Sequence, residues 1–424
     1  MAIISKKDKK IEQGVQYKKT ILSNGLTVLT EQVDTVESFA LGYFIGVGSR
    51  DENDFPEGTA HFMEHAAFKN SGKRNSRQIA NRFENLGAFT NAYTTKENIC
   101  FYVNALKGNF SKVTDILTEI TFNPTFKTEE IDKERNVIIE EIHSYEDDLE
   151  ELIYDEADKI LYDGHNLAHQ ITGTVETVKK IDEHVLRKFH NKFFTPSNTT
   201  ISMAGNISHE KTVKKLEKIF EKLNFNDSII EKRLVPNDLP RTKLILERSS
   251  GQAHLLLTKF IKNNDIRTRY IIAIINIILG DGMSSRLYQS LREKSGIAYS
   301  VYSSIVNFED NTNINIYTSI DRKKINTAKN YIDRELKKLY KNYIKISEFN
   351  RAKNQLKSSS VIEMENMSSR MQFLAKQDIF FNNHESLEKS IELIDSIEIG
   401  EVIKMIEEEF APERWHEIRI IPKD

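Results

Sequence analysis

Cysteine is nearly absent: Cys100 is the one thiol in 424 residues. That excludes intrachain disulfides and every zinc site built from two or more thiolates, and it fits a reducing compartment. Any metal must therefore be held by histidine and carboxylate. Long apolar runs are absent as well. The strongest, residues 270–280, is interrupted by Asn276 and falls well short of the roughly 18 residues a membrane span needs. The first twenty residues carry Lys6, Lys7, Lys9 and Lys10 among Asp8, Glu12 and Gln13. They have neither the apolar core of a secretory signal nor the arginines of a mitochondrial transit peptide, so the expectation is a cytoplasmic protein. Nor does one sign of charge dominate. With 60 Lys and Arg against 63 Asp and Glu the net charge is −3, which leaves no positive field to gather phosphate backbones or anionic lipid. The expectation is no nucleic-acid partner and no membrane insertion.

What is present is a globular composition, 39% apolar and 29% charged, in a chain long enough for several cores. From Lys18 to Val47 apolar and polar residues alternate around an Asn24-Gly25 turn, which reads as strands. Helical periodicity begins at Thr59. A second helix is expected over residues 76–86, ended by Gly87, and two strands over residues 89–105, joined around Thr95-Lys96-Glu97. Thr128 is a candidate N-cap for one long helix, since Ile131, Ile138, Ile142, Tyr145, Leu149 and Ile153 recur at helical spacing. A further helix is expected over residues 178–192 and a strand over residues 199–204.

Proline is scarce, seven in all, and Pro236 and Pro240 fall together in an aperiodic stretch, residues 226–241, that reads as a linker. The boundaries expected are 1–228 for an N-terminal domain, 229–241 for the linker and 242–424 for a C-terminal domain. An internal repeat supports the division: residues 87–95 (GAFTNAYTT) resemble residues 296–304 (GIAYSVYSS) at an offset of 209. At that offset the helix from Thr59 falls on residues 268–279, which are apolar and hold no histidine or glutamate. Two copies of one α+β module are expected, with polar chemistry on that helix only in the first.

That chemistry is concentrated in Gly58-Thr59-Ala60-His61-Phe62-Met63-Glu64-His65. On a helix, His61 and His65 stand one turn apart on one side and can share a zinc ion, with Glu64 alongside. This is the H-x-x-E-H arrangement, the inverzincin order. A chance match is expected roughly 0.03 times in a chain of this size and composition; the plain alternative is a surface helix with two satisfied histidines. A catalytic zinc needs a third protein ligand and an open position. The long helix offers Glu134, Glu140, Glu141 and Glu146, and spacing alone does not choose among them. Glu134 and Glu141 share a face, whereas Glu140 is turned by about 100° from Glu141. The lone Cys100, in an apolar strand, reads as an inert core thiol, and Lys69, Lys73, Arg74 and Arg77 as a solvated loop.

These residues resemble the pitrilysin and mitochondrial-processing-peptidase-like zinc peptidases, in their short-chain bacterial form. The resemblance runs through residues 48–52, 58–69, 91–94, 134–142, 173–174, 196–198 and 282–300. It implies two homologous α/β-sandwich domains, each a mainly antiparallel sheet covered by helices, forming half of a clamshell chamber. It implies His61, His65 and Glu141 as ligands of one zinc per chain, Glu64 as the base acting on the zinc-bound water, and Glu134 as the carboxylate that orients a histidine ligand. Arg292 and Tyr299 match a pair that holds the substrate carbonyl and stabilises the oxyanion. Asn91 and Ala92 match an edge strand that pairs with extended substrate. The implied activity is that of a zinc-dependent endopeptidase acting on extended or unfolded peptides in a homodimer, with the Arg292–Tyr299 pair working in trans. The alternatives are a non-catalytic assembly subunit of the same fold and the catalytic subunit of a heterodimer. Two departures bear on pocket shape: Ala66-Ala67 follows His65 where the family has a bulky residue, and residues 165–169 (HNLAH) replace a proline-containing loop.

Overall fold

A computed structural model describes residues 14–226, 230–263 and 265–423. The N-terminal lysines and the expected boundary at residues 228 and 229 lie outside the described residues. Before residue 230 the strands are β1 (Val15–Ile21), β2 (Thr27–Val33), β3 (Ser38–Ile45), a short hairpin of β4 (Asn70–Ser71) and β5 (Arg74–Asn75), then β6 (Phe89–Thr94), β7 (Ile99–Leu106) and β8 (Thr199–Gly205). After it come β9 (Lys243–Arg248), β10 (Ala253–Lys262), β11 (Ala298–Asn307), β12 (Asn311–Ile320) and β13 (His416–Pro422). The first sheet runs β1-β2-β8-β3-β7-β6 and the second β11-β12-β10-β13-β9. Each is antiparallel apart from one parallel pair, β2 with β8 and β9 with β13. Both sheets carry helices, so the chain is a two-domain α/β fold.

The repeat seen in the sequence maps onto equivalent places. Gly87 and Gly296 both adopt positive φ, 60° and 58°, a conformation glycine reaches without strain, and each leads into an edge strand, β6 and β11. The helix Ile266–Leu279, like the Thr59–Ala67 helix at the matching place in the first half, packs into its own sheet's core.

Burial along the central strands shows how the halves are joined. Every residue of β3 after Ser38 is buried, and β12 is buried at all but one position; a strand that alternated would have one wet face, so both faces here are covered. On β3 one face meets the helices of its own half. The other is covered by the helix Met367–Phe381 from the second half, whose Met371 and Ala375 pack on Ala40, Phe44, Cys100 and Ala204. Reciprocally, the helix Leu149–Leu161 from the first half sets Leu152, Ile153 and Ala157 on Leu256, Tyr317, Ile418 and Ile420 of the second sheet. Buried polar contacts follow the same crossing: Ser202 Oγ donates to the Met371 carbonyl at 2.7 Å and Arg370 pairs with Glu31 at 3.1 Å. Arg50 adds a third link, pairing with Glu97 and Asp310 at 2.6 Å each.

Three expectations are corrected in detail. The long helix is two helices, Thr128–Asp147 and Leu149–Leu161, broken at Asp148, whose backbone is extended and whose carboxylate accepts from the amides of Glu150 and Glu151. Thr128 is not an N-cap; its hydroxyl donates to Glu183. The segment 178–192 is likewise split: Val175–Val178 is a single turn, and Glu183–Phe193 starts afresh with Asp182 capping the Val185 amide at 2.9 Å.

Candidate metal centre

The motif helix, Thr59–Ala67, is anchored at its N-terminus by Glu52, a fully buried carboxylate that accepts from the amides of Gly58 at 2.9 Å and Ala60 at 2.6 Å. It satisfies donors that have no partner within the helix. Gly58 itself sits at φ 90°, and a Cβ there would meet the Thr172 carbonyl oxygen at 2.5 Å. The chain can therefore enter this helix only through glycine.

The helix Thr128–Asp147 buries Ile131, Ile138 and Ile142 in the same core as the motif helix, which turns Glu134 and Glu141 toward the histidines. His61, His65 and Glu141 each offer a ligand atom, all within 4.8 Å of one another. Glu141 Oε2 lies 3.7 Å from His61 Nε2 and 3.6 Å from His65 Nε2. These separations are too long for hydrogen bonds and are close to the edge, about 3.4 Å, of a tetrahedron of ligands at zinc–nitrogen and zinc–oxygen distances. Two imidazoles and a carboxylate are also the donor set of a catalytic zinc with an open position, so the residues fit the ion. Glu140, the neighbour left open by spacing, is 82% exposed and turned away.

Glu134 binds His65 Nδ1 at 2.7 Å and the Lys69 ammonium at 2.6 Å. Burial alone would raise its pKa; the hydrogen bonds and charges of those two partners outweigh burial and hold the carboxyl below its usual range. On His65 burial opposes protonation, but Glu134, Glu64 and Glu141 outweigh it and raise the pKa. At His61 burial, with the charge of His65 adding to it, outweighs the opposing charge of Glu134 and pulls the pKa down to about 3, and its Nδ1 is buried without a hydrogen-bond partner among the described residues. Burial raises Glu64, with Glu141 adding to the shift, while the Thr94 hydroxyl, donating at 2.6 Å, and His65 pull the other way.

His61, Glu64, His65 and Glu141 line a cavity of about 420 Å³ that also takes in Ala92, Thr94, Lys96, Tyr145, Glu151 and Asp155. β6 forms the edge of its sheet. On it Ala92 faces the cavity, whereas the Asn91 carboxamide folds back to accept from the Ala92 amide at 2.9 Å. Arg292 and Tyr299 do not line the cavity. The guanidinium stacks 5.3 Å from the Tyr299 ring and 4.9 Å from the Tyr288 ring, and Tyr299 is 80% exposed. Lys69 leaves its expected solvated patch to hold Glu134. Sequence reading missed Thr94, Lys96, Glu151 and Asp155. The acids carried a signal, since positions 151, 155 and 158 follow the i, i+4, i+7 spacing of one helix face, but the helix was expected to run straight through Asp148.

Two α/β modules with a histidine–histidine–carboxylate centre on helices beside a sheet edge define a chain of the metallopeptidase type. The chain belongs to the insulinase family, peptidase family M16: residues 27–175 match that family and residues 180–356 match the peptidase M16 inactive domain. The second match begins before β8 and so includes a strand of the first sheet. An uncharacterized zinc protease of Bacillus subtilis, YmxG, is 33% identical over 91% of this chain and 93% of its own length. One from Rickettsia bellii is 33% identical over 90% and 92%. Among solved structures, a peptidase M16 inactive domain from Pseudomonas fluorescens superposes with a TM-score of 0.90 at 19% identity, covering 96% of this chain and 98% of that one. A protease from Helicobacter pylori gives 0.90 at 19%, covering 96% and 100%.

Proposed function

We propose that the chain is a zinc endopeptidase that hydrolyses extended or unfolded peptides, binding one zinc per chain through His61, His65 and Glu141. The observation that carries this reading is the convergence of those three ligand atoms beside Glu64 in one cavity. When bound, zinc supplies Lewis acidity, which acidifies a water and polarises a carbonyl. Glu64 would accept a proton from the attacking water and return it to the departing amine nitrogen. Glu134 keeps the His65 tautomer that leaves Nε2 free toward Glu141. Substrate lies along β6 as an added strand, the mode an open sheet edge favours, with Asn91 and Ala92 beside it. A cationic side chain of the substrate suits Glu151 and Asp155. Burial raises both pKa values; at Glu151 neighbouring carboxylates add to the shift, whereas at Asp155 the Gln170 hydrogen bond and the Lys96 charge oppose it, so a positive charge is most favourable beside Glu151.

Because Arg292 and Tyr299 lie away from the cavity, the reading takes them from a second copy of the chain, in a cytoplasmic homodimer, where they hold the oxyanion. The test is zinc content and hydrolysis of a quenched, unstructured peptide, wild type beside Glu64→Gln. About one zinc per chain in both, with cleavage in the wild type alone, is expected. Folded, zinc-free and inactive wild type overturns the reading and favours an assembly subunit.

A further inference from the structure

A general base accepts a proton fastest when its carboxylate is already oriented, and a glutamate has three rotatable bonds. Glu64 has a visible restraint. Thr94 Oγ1 donates to Glu64 Oε2 at 2.6 Å, the length of a charge-assisted bond. The donor is itself held. Along β6 alternate residues face opposite sides: Tyr93 packs in the cluster with Cys100 on the far face, while Ala92 packs against the core shared with the motif helix. Thr94 shares the Ala92 side, and its β-branch leaves χ1 little freedom.

The end of an edge strand ordinarily frays, but here the turn that follows is tied on three sides. Thr95 Oγ1 accepts from the amides of Glu97 and Asn98 at 3.1 and 2.9 Å. The Lys96 ammonium donates to the Leu167 carbonyl at 2.7 Å and pairs with Asp158 at 2.6 Å. Glu97 takes Arg50 and the Glu309 amide of the second half, the latter at 3.0 Å. Thr94 is therefore a donor fixed by both halves of the chain.

We propose that Thr94 is the positioning residue for the general base: its hydroxyl holds Glu64 Oε2 so that Oε1 is presented for proton transfer. The assignment rests on the peptidase reading above. The experiment compares wild type, Thr94→Val, Thr94→Ser and Glu64→Gln on the quenched, unstructured peptide, with zinc content and thermal midpoint measured on each sample. Valine keeps the shape and removes the donor. It is expected to lower kcat about 30-fold, as loss of a hydrogen bond to a charged group implies, with KM within twofold and zinc content unchanged. Serine restores the donor and is expected to stay within about threefold of wild type. Wild-type kcat in Thr94→Val overturns the assignment, and so does a change confined to KM. A serine variant as slow as the valine variant overturns it too, because packing rather than the hydroxyl would then be at stake. Zinc-loaded wild type without hydrolysis overturns the peptidase reading itself, and the assignment with it.

Discussion

Glu134 is one carboxylate shared by two donors, an imidazole and an ammonium, and the arrangement separates its structural duty from any chemistry. One oxygen takes His65 Nδ1 and the other takes Lys69, so His65 turns its Nε2 toward Glu141. His61, whose Nδ1 has no hydrogen-bond partner among the described residues, is oriented by packing. The asymmetry makes the two histidines unequal: the His65 ring depends on a carboxylate that can be removed without touching a ligand atom. Glu134→Gln keeps the shape, loses the charge and leaves the Lys69 ammonium without its anion. Zinc affinity is expected to fall about 10- to 100-fold, the usual effect of removing an orienting partner, while Glu64→Gln leaves affinity near wild type. Competition with a chromogenic chelator measures both. Equal affinities for Glu134→Gln and wild type would mean that packing orients His65 as it does His61. At this scale the sequence was informative for a physical reason. Two histidines one helical turn apart have few structural uses, so the motif stood out, whereas a threonine ending a strand, as Thr94 does, is ordinary until its partner is seen.

Between elements, the break at Asp148 brings residues of two helices, Glu141 and Glu151 among them, to one cavity. The apolar stripe from Ile131 to Ile153 continues in phase through that break, so periodicity reported one helix where there are two. The local chemistry did mark it: Asp148 precedes Leu149-Glu150-Glu151, a capping residue followed by an acidic first turn. Periodicity records which face is buried and is blind to what buries it. Here the first helix buries its stripe in its own half and the second on the other half's sheet. The turn of direction brings Glu151 and Asp155 to the cavity that holds Glu141. Burial raises the pKa of both, helped at Glu151 by neighbouring carboxylates and opposed at Asp155 by Gln170 and Lys96, and a cationic side chain of a substrate offsets the cost of ionising them there. The double variant Glu151→Gln, Asp155→Asn is expected to lower kcat/KM about 10- to 100-fold for peptides with an arginine next to the cleaved bond, the range for charges in such a site. Matched peptides with a neutral residue there should change by less than about threefold. Equal losses on both would place the two acids outside substrate recognition.

For the whole molecule the division of the sequence at the linker and the division of the packing do not coincide. The linker, the internal repeat and the two sheets all suggest halves that could stand alone, and we propose the boundaries 1–228 and 242–424 on that basis. Yet each sheet has one face covered by a helix from the other half. An isolated first half would expose Ala40, Phe44 and Ala204 and leave the buried Glu31 carboxylate without Arg370. An apolar face opened this way costs about 25 cal/mol per Å², and an unpaired buried charge costs several kcal/mol more, against a total stability of about 5–15 kcal/mol. The halves should therefore melt together. Cys100 reports the docking directly, because it is the chain's only thiol and lies at 0% exposure under the Met367–Phe381 helix. In the native chain a thiol-specific reagent is expected to react at the rate of global unfolding, and calorimetry to give one transition with equal calorimetric and van't Hoff enthalpies. Cut at residue 241 and expressed alone, the first half should label at once and lose tight zinc binding. Slow labelling in that fragment, or two separate transitions in the intact chain, would show that the crossed helices are an ornament on two self-sufficient modules rather than the means by which each completes the other.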